Sequence, residues 1–362
     1  MQVHVARVVN FGGSERYAAD LAGLLAAAEH TVLVVVQAGW GRGQQERLDW
    51  WRKSVKKAQI YAVPAWVPKW LLGWVLGRLM DGFGPDIVHC HLGGANTWAG
   101  RAAKRRGIKW ISTLHLRWKN KEMQHADGVI CIANWQKKEI GSDFAGKVQV
   151  IGNWLPDLSM RKHGEFGINS GFVASGRGDG LVVFGSVGRL HKVKGMDVLV
   201  RAFQEAFGLP AYAQGGSLGS LREKYNVRLR IVGEGEQRGE LERLIAGDAR
   251  IELVGQCAEM AAEYAQLDVL VSAARYEPFG LTILEGMAHG LPLVCTRSEG
   301  PSEFLAGREG VVWAEKDDVA SLAAALRMAY AGGPRRVVWE MGDFMPARAV
   351  AAIERFYENV RS

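Results

Sequence analysis

Two glutamates eight residues apart stand in the stretch of the chain best suited to chemistry: Glu277-Pro278-Phe279-Gly280-Leu281-Thr282-Ile283-Leu284-Glu285-Gly286-Met287-Ala288-His289-Gly290-Leu291-Pro292. An apolar, strand-like run ends near Ser272, and a helical pattern starts near Gly280. Glycine at a helix N-terminus permits close backbone approach, and the unpaired N–H groups and dipole there attract a phosphate. Carboxylates accept hydrogen bonds from sugar hydroxyls, and Glu277 and Glu285 can face one ligand. The same residues also fit a plain helix start, with Glu277 as a first-turn anion and Glu285 on a solvated face.

A cationic loop, Gly188-Arg189-Leu190-His191-Lys192-Val193-Lys194-Gly195, directly follows the apolar run 181–187. At a strand's carboxyl end it suits a diphosphate: Arg189 can grip two oxygens and Lys194 adds a point charge. It also fits a polar turn before a helix. Gly233-Glu234-Gly235 follows the run 227–232, where Gly233 and Gly235 let backbone approach a flat or anionic ligand. Near the N-terminus, Gly12-Gly13-Ser14-Glu15 lacks the full GxGxxG pattern and implies no bound dinucleotide. His89, His91 and His115 stand at or just past strand ends. Read as pointing to opposite faces of a continuing strand, His89 and His91 do not share an ion. No Asp-x-Asp pair exists to hold a divalent cation, so no metal site is expected. His115 is read either as a polar contact for a sugar or as a structural histidine.

Elements that could position these residues alternate along the chain. Strands are expected at 3–9, 31–36, 60–63, 87–90, 110–114, 128–133 and 148–151, and again at 181–187, 227–232, 251–254, 269–272, 293–296 and 311–313. Helical patterns separate them, for example 198–207, 281–289 and 319–330. Continuous β-branched runs between helices indicate parallel sheets buried on both faces. The expected fold class is α/β, with two doubly wound Rossmann-like domains facing across a cleft. Their bounds are 1–160 and 181–339, with a Gly/Ser-rich linker at 161–180 and a terminal helix within 340–362 that packs back on the first domain. Residues 208–220 read as a surface loop. Ligands in such sheets sit beyond the strands' carboxyl ends.

The 362 residues carry a formal charge of +7, unevenly placed. Residues 1–160 hold 21 Lys+Arg against 12 Asp+Glu, and the rest 24 against 26. The basic half invites anionic partners or is simply well solvated. Cys90, Cys131, Cys257 and Cys295 lie far apart without a CxxC pair, and no leader-like apolar run follows Met1, which suggests a reduced, cytoplasmic chain. The apolar stretch 60–80 is broken by Pro64, Pro68 and Lys69, and 70–80 is about half of a membrane span. In residues 50–80, Trp50, Trp51, Trp66, Trp70 and Trp74 stand among Arg52, Lys53, Lys56, Lys57, Lys69 and Arg78. That composition suits peripheral contact with an anionic membrane, at its inner face. The alternative packs Trp70, Leu71, Trp74 and Val75 onto the first sheet.

Taken in order, these motifs make the chain resemble the retaining GT-B glycosyltransferases of family 4, the group 1 type. Weaker echoes are Asp86-Ile87-Val88-His89-Cys90-His91, Thr113-Leu114-His115 and Val150-Ile151-Gly152-Asn153. The resemblance implies that Arg189 and Lys194 hold the donor diphosphate and that Glu285 binds the nucleotide ribose. It places Glu277 by the donor sugar and His115 near the anomeric carbon. Gly280 and Leu281, flanked by Phe279 and Thr282, would serve the sugar and phosphate through backbone amides. Gly12 and Gly13 would approach the donor from the first domain. Gly286, where alanine is usual, and His289, at a position often small, depart from the pattern.

The reaction implied moves a hexose from a nucleotide diphosphate sugar, UDP-sugar first and GDP-sugar next, to a saccharide or glycolipid acceptor. Lipopolysaccharide core or other cell-surface polysaccharide synthesis is the expected setting, with no cofactor beyond the donor. Rival readings are a sugar-nucleotide epimerase or phosphorylase on the same fold. A non-enzymatic binder of anionic polymers through Arg101, Lys104, Arg105, Arg106 and Lys109, with Trp98 and Trp110, is another.

Overall fold

The computed structural model describes residues 2–7, 13–38, 42–55, 57–64, 66–91, 93–155, 180–208 and 225–362. Gly12, Lys56, nearly all of the expected 161–180 linker and nearly all of the 208–220 loop lie outside the described residues. The chain divides into two compact units: Met1–Trp154 with Phe344–Ser362, and Leu155–Asp343. No described helix is long and apolar enough to cross a membrane.

In unit 1, β1 (Gln2–Arg7), β2 (Val32–Ala38), β3 (Gln59–Pro64), β4 (Ile87–His91), β5 (Lys109–Leu114), β6 (Gly128–Cys131) and β7 (Lys147–Val150) form a sheet. Its order is β3-β2-β1-β4-β5-β6-β7, and every described pairing is parallel. β2 shows why. Val32, Val34 and Val36 enter one core while Leu33 and Val35 enter another, so both faces of the strand are dry. Helices α1 (Gly13–Ala27), α2 (Arg42–Ser54), α3 (Lys69–Phe83) and α4 (Gly93–Lys104), with the short α5 (Asn120–Met123) and α6 (Asn134–Lys137), fill the connections.

The last helix of the chain returns to this unit, starting at Pro346, whose fixed φ suits a first helical turn. Its Ile353, Phe356 and Tyr357 share a core with Leu21 and Leu25 of α1. A Cβ at Gly128 would lie 2.8 Å from the Phe356 ring, so this helix seats directly on β6 and leaves room there for glycine alone.

Helix α3 overturns the packing alternative for its tryptophans. Leu72, Leu76 and Met80 face the core, with Leu71 and Val75 half-buried beside them, whereas Trp70 and Trp74 are 76% and 62% exposed. Trp51, by contrast, is buried, and Trp50 meets it edge to face at 5.6 Å. Trp51 belongs to the core, and Trp50 packs half-buried against it.

Unit 2 repeats the plan. β8 (Val182–Val187), β9 (Val227–Val232), β10 (Ile251–Gly255), β11 (Val269–Ser272), β12 (Leu293–Thr296) and β13 (Val311–Ala314) form a parallel sheet of order β10-β9-β8-β11-β12-β13. Between them run α7 (Met196–Phe207), α8 (Arg238–Ile245), α9 (Met260–Ala265), α10 (Leu281–Ala288), α11 (Glu299–Phe304) and α12 (Val319–Ala331). The terminal helix of unit 1 is then α13 (Pro346–Arg361). In both sheets the strand order reverses beside the first strand, between β1 and β4 and between β8 and β11. Such reversals leave a crevice beyond the strands' carboxyl ends.

Candidate functional site

The unit 2 motifs converge on that crevice. After β8 the backbone is strapped to the turn after β9: Gly188 N–H donates to Val232 O at 3.0 Å and Leu190 N–H to Glu234 O at 2.9 Å. Gly233 has φ +141, and a Cβ there would collide with the Gly188 carbonyl. Thus Gly188–Gly195 and Gly233–Gly235 form one double loop, and the second glycine motif serves close backbone packing.

The cationic loop is held from the other side by Arg275. Its guanidinium donates to both oxygens of Asp197 at 2.7 and 2.8 Å, to Asp317 at 2.7 Å and to Lys192 O at 2.7 Å. Its own N–H donates to Val193 O at 2.9 Å. Burial opposes the Asp197 charge, but the Arg275 hydrogen bonds and charge outweigh it and hold Asp197 below its ordinary value. Sequence reading missed this clamp. The partners lie 78 residues apart, and the only local signals were an arginine beside Tyr276-Glu277 and an aspartate in the first turn of α7.

The clamped loop carries Lys194 to Glu277, with Nζ 2.5 Å from Oε2 and side chains 22% and 11% exposed. Both line a pocket with Ser186, Ser272, Ala274 and Thr282, at the ends of β8 and β11 and the start of α10. Arg189 is exposed on the same loop. Gly280 caps α10 with φ +111 and makes no side-chain cap bond, so this helix start offers backbone alone.

Glu285 is buried and accepts the Tyr264 hydroxyl at 2.6 Å, so it does not lie on a solvated face. Tyr264 also faces the His289 ring at 4.9 Å, while His289 Nδ1 lies 2.8 Å from Glu285 O. The large residue at 289 is thereby explained. So is Gly286: the Leu270 side chain of β11 occupies the place of a Cβ. Phe279 stacks on Phe304 at 5.2 Å, so its ring is committed to packing.

Unit 1 places a different set at its own strand ends. His89 and His91 have ring centroids 4.2 Å apart. They share a face, as alternate residues of a strand must, which corrects the opposite-face expectation. His91 Nδ1 lies 3.4 Å from His115 Nε2. His89 bridges Thr113 Oγ1 at 2.7 Å and the Tyr357 hydroxyl of α13 at 2.8 Å. Tyr17 meets the His115 ring edge to face at 4.9 Å and Trp154 at 4.5 Å. Burial lowers the His115 imidazole to about 3, so it is neutral at physiological pH. Gly13 is the exposed first residue of α1. Among the described residues no group of three or more His, Cys, Asp or Glu side chains could hold a metal ion. No disulfide is formed by the four cysteines.

The polymer-binding reading loses its stacking platform. Trp110 is buried and Trp98 packs against the same core. Arg106 is paired with Asp81 and Lys109 with Asp127.

Two family descriptions match the chain: Glycosyltransferase Family 4 over residues 11–156, and Glycosyl transferases group 1 over residues 182–331. One curated relative is a lipopolysaccharide core biosynthesis glycosyltransferase, LpsE of Rhizobium meliloti, 29% identical over 42% of this chain and 40% of that protein. Another is a GDP-mannose-dependent alpha-mannosyltransferase of Mycolicibacterium smegmatis, 26% identical over 63% of this chain and 60% of that protein. The matched regions thus span from about 40% to 60% of the length of these two relatives. The crystal structure of Anabaena HepE in complex with UDP and glucose superposes with a TM-score of 0.72 at 16% identity, covering 99% of each chain. With both units matched and GT-B glycosyltransferases as structural neighbours, the chain belongs to the family 4, group 1 glycosyltransferases.

Proposed function

We propose that this chain is a retaining, metal-independent hexosyltransferase. It takes the sugar from a nucleotide diphosphate, UDP-sugar before GDP-sugar, and passes it to a saccharide or glycolipid acceptor in lipopolysaccharide core or related cell-surface synthesis. The observation that carries the reading is the Lys194–Glu277 pair at the ends of β8 and β11, with Arg189 on the same loop and Gly280 at the start of α10. An arriving diphosphate competes with Glu277 for the Lys194 ammonium and gains Arg189 as a second cation. Glu277 is then released to accept from sugar hydroxyls. Glu285, held by Tyr264, stands about one turn further along the same helix as the acceptor for the ribose.

In the proposed step the anomeric carbon–phosphate oxygen bond breaks and the bond to the acceptor oxygen forms on the same face of the sugar. The acceptor's proton passes to the leaving phosphate oxygen. Charge builds on the diphosphate, where Arg189, Lys194 and the helix N-terminus stabilise it electrostatically in place of a divalent ion. A neutral His115 suits a hydrogen bond to a sugar hydroxyl rather than an ion pair. The relatives support the choice of donors: HepE was crystallised with UDP and glucose, and the mycobacterial protein is named for GDP-mannose.

The test is a transfer and donor-binding screen of UDP-, GDP- and ADP-sugars in EDTA. Release of UDP with formation of a same-face glycoside supports the reading. An epimerised sugar nucleotide, phosphate-dependent cleavage, or activity that returns only with magnesium or manganese would replace it.

A further inference from the structure

We propose that unit 1 docks on an anionic phospholipid surface by inserting Trp66, Trp70 and Trp74 into the headgroup region. These side chains are 65%, 76% and 62% exposed, and Tyr61 on the edge strand β3 is 44% exposed. The inner face of α3 is already complete in Leu72, Leu76 and Met80, so the outer indoles add nothing to the core. A helix that is apolar on both faces needs a second apolar environment.

The chemistry of the patch selects a bilayer interface. Indole pairs an apolar body with one N–H donor, which suits the boundary between acyl chains and headgroups. The 15 residues of α3 are too few to cross a membrane but enough to lie in its plane. Trp70, Trp74 and Arg78 follow one another at four-residue spacing, so one face carries both indoles and a cation. Asp81, further along that face, is neutralised by Arg106 through bonds of 2.6 and 2.9 Å. Elsewhere in the same unit, Arg52 and Lys53 are exposed at the end of α2, which covers the other face of the sheet, and Lys57 is exposed just before the edge strand β3.

Charge also decides between occupants. A second copy of a chain with net charge +7 would bring like charge against like, whereas anionic lipid complements it. Each cation at such a surface strengthens binding roughly five-fold, and the gain falls with salt. The docking requires no step of sugar transfer, so it stands or falls separately from the proposed reaction.

The test uses the full chain with vesicles of phosphatidylcholine alone or with phosphatidylglycerol. We expect sedimentation with the anionic vesicles that weakens with salt, and quenching of tryptophan fluorescence by lipids brominated high in the acyl chain. Combined Trp66→Ser, Trp70→Ser and Trp74→Ser substitutions should lower binding at least ten-fold and abolish the quenching, with the melting temperature unchanged because the side chains are exposed. Lys53→Glu, Lys57→Glu and Arg78→Glu together should remove the preference for anionic vesicles. The proposal is overturned if the wild-type chain ignores anionic vesicles, or if the tryptophan variant binds them equally well. A dimer in sedimentation velocity that the tryptophan variant dissolves, without vesicle binding, would assign the patch to self-association instead.

Discussion

The two units share a parallel doubly wound plan, yet the places where their strand orders reverse hold opposite chemistry. In unit 2 the crevice is lined by a charged pair, Lys194 on Glu277; the loop of Lys194 also carries the exposed Arg189 and is clamped from behind by Arg275 on Asp197. In unit 1 the matching strand ends carry buried rings, His89, His91 and His115, packed with one another and with Tyr17 and Trp154. The backbone plan places a ligand crevice in both, and the side chains decide what each can hold. A charged crevice fits a leaving diphosphate; a buried ring cluster around a neutral His115 fits hydroxyl-bearing groups. The predictions below test that division, starting with the largest effect.

Removing either cation should disable unit 2 alone. Lys194→Ala and Arg189→Ala are each expected to raise the transfer barrier by about 2–4 kcal/mol, a loss of kcat/KM of roughly 30- to 1,000-fold, with the fold intact. Steady-state kinetics and circular dichroism check this. Near-normal turnover in both variants would remove the charged crevice from the reaction.

Arg275→Ala should act one step back. It leaves Asp197 half-buried without its main partner and frees the loop that carries Lys194. A stability loss of about 2–3 kcal/mol is expected. Arg275→Lys should recover part of that stability but less of kcat, because a lysine cannot grip Asp197, Asp317 and the Lys192 carbonyl together. Parallel recovery of both would reduce the clamp to a general stabiliser.

The ring cluster of unit 1 has a pH signature. Folded His115 takes up no proton until pH nears 3, whereas the unfolded chain takes one near 6.5. Between these values the unfolded state binds more protons, so His115 removes stability as pH falls and has no such effect above 6.5. His115→Gln should therefore lose about 2 kcal/mol less than wild type between pH 7.5 and 5 in urea unfolding. Identical pH dependence in the two proteins would show that His115 titrates normally.

The smallest effect belongs to Tyr264→Phe. Loss of the hydroxyl that holds Glu285 should raise the donor KM by about three- to ten-fold with kcat nearly unchanged, as expected for lost ground-state binding. A fall in kcat alone would move Glu285 from the ribose to the reacting sugar.

The strands were legible because both faces of each sheet are covered, which leaves valine-rich runs such as 32–36 and 182–187. The glycines at 188, 195, 233 and 280 were legible as punctuation at strand ends. Their physical reasons, carbonyls of Gly188 and Ala273 packed where a Cβ would stand at Gly233 and Gly195, were not. The Arg275–Asp197 clamp could not be read, because a long-range pair leaves no periodic trace. The tryptophans misled in both directions. Four-residue spacing identifies a helix face but not which face turns inward when Leu71, Leu72, Val75, Leu76 and Leu79 make α3 apolar almost all round. Amid arginines and lysines, Trp110 went into the core and Trp98 packs half-buried against it, while Trp70 and Trp74 stayed outside.

The most direct test of the charged crevice is calorimetric titration of UDP and GDP, in EDTA, into the wild-type chain and into the Arg189→Ala, Lys194→Ala double variant. The account predicts that at least one of the two nucleotides binds the wild type without metal, UDP the more tightly, and at least about 100-fold more weakly to the double variant. Equal affinity of the two proteins for the diphosphate, or binding by wild type only after a divalent ion is added, would contradict it.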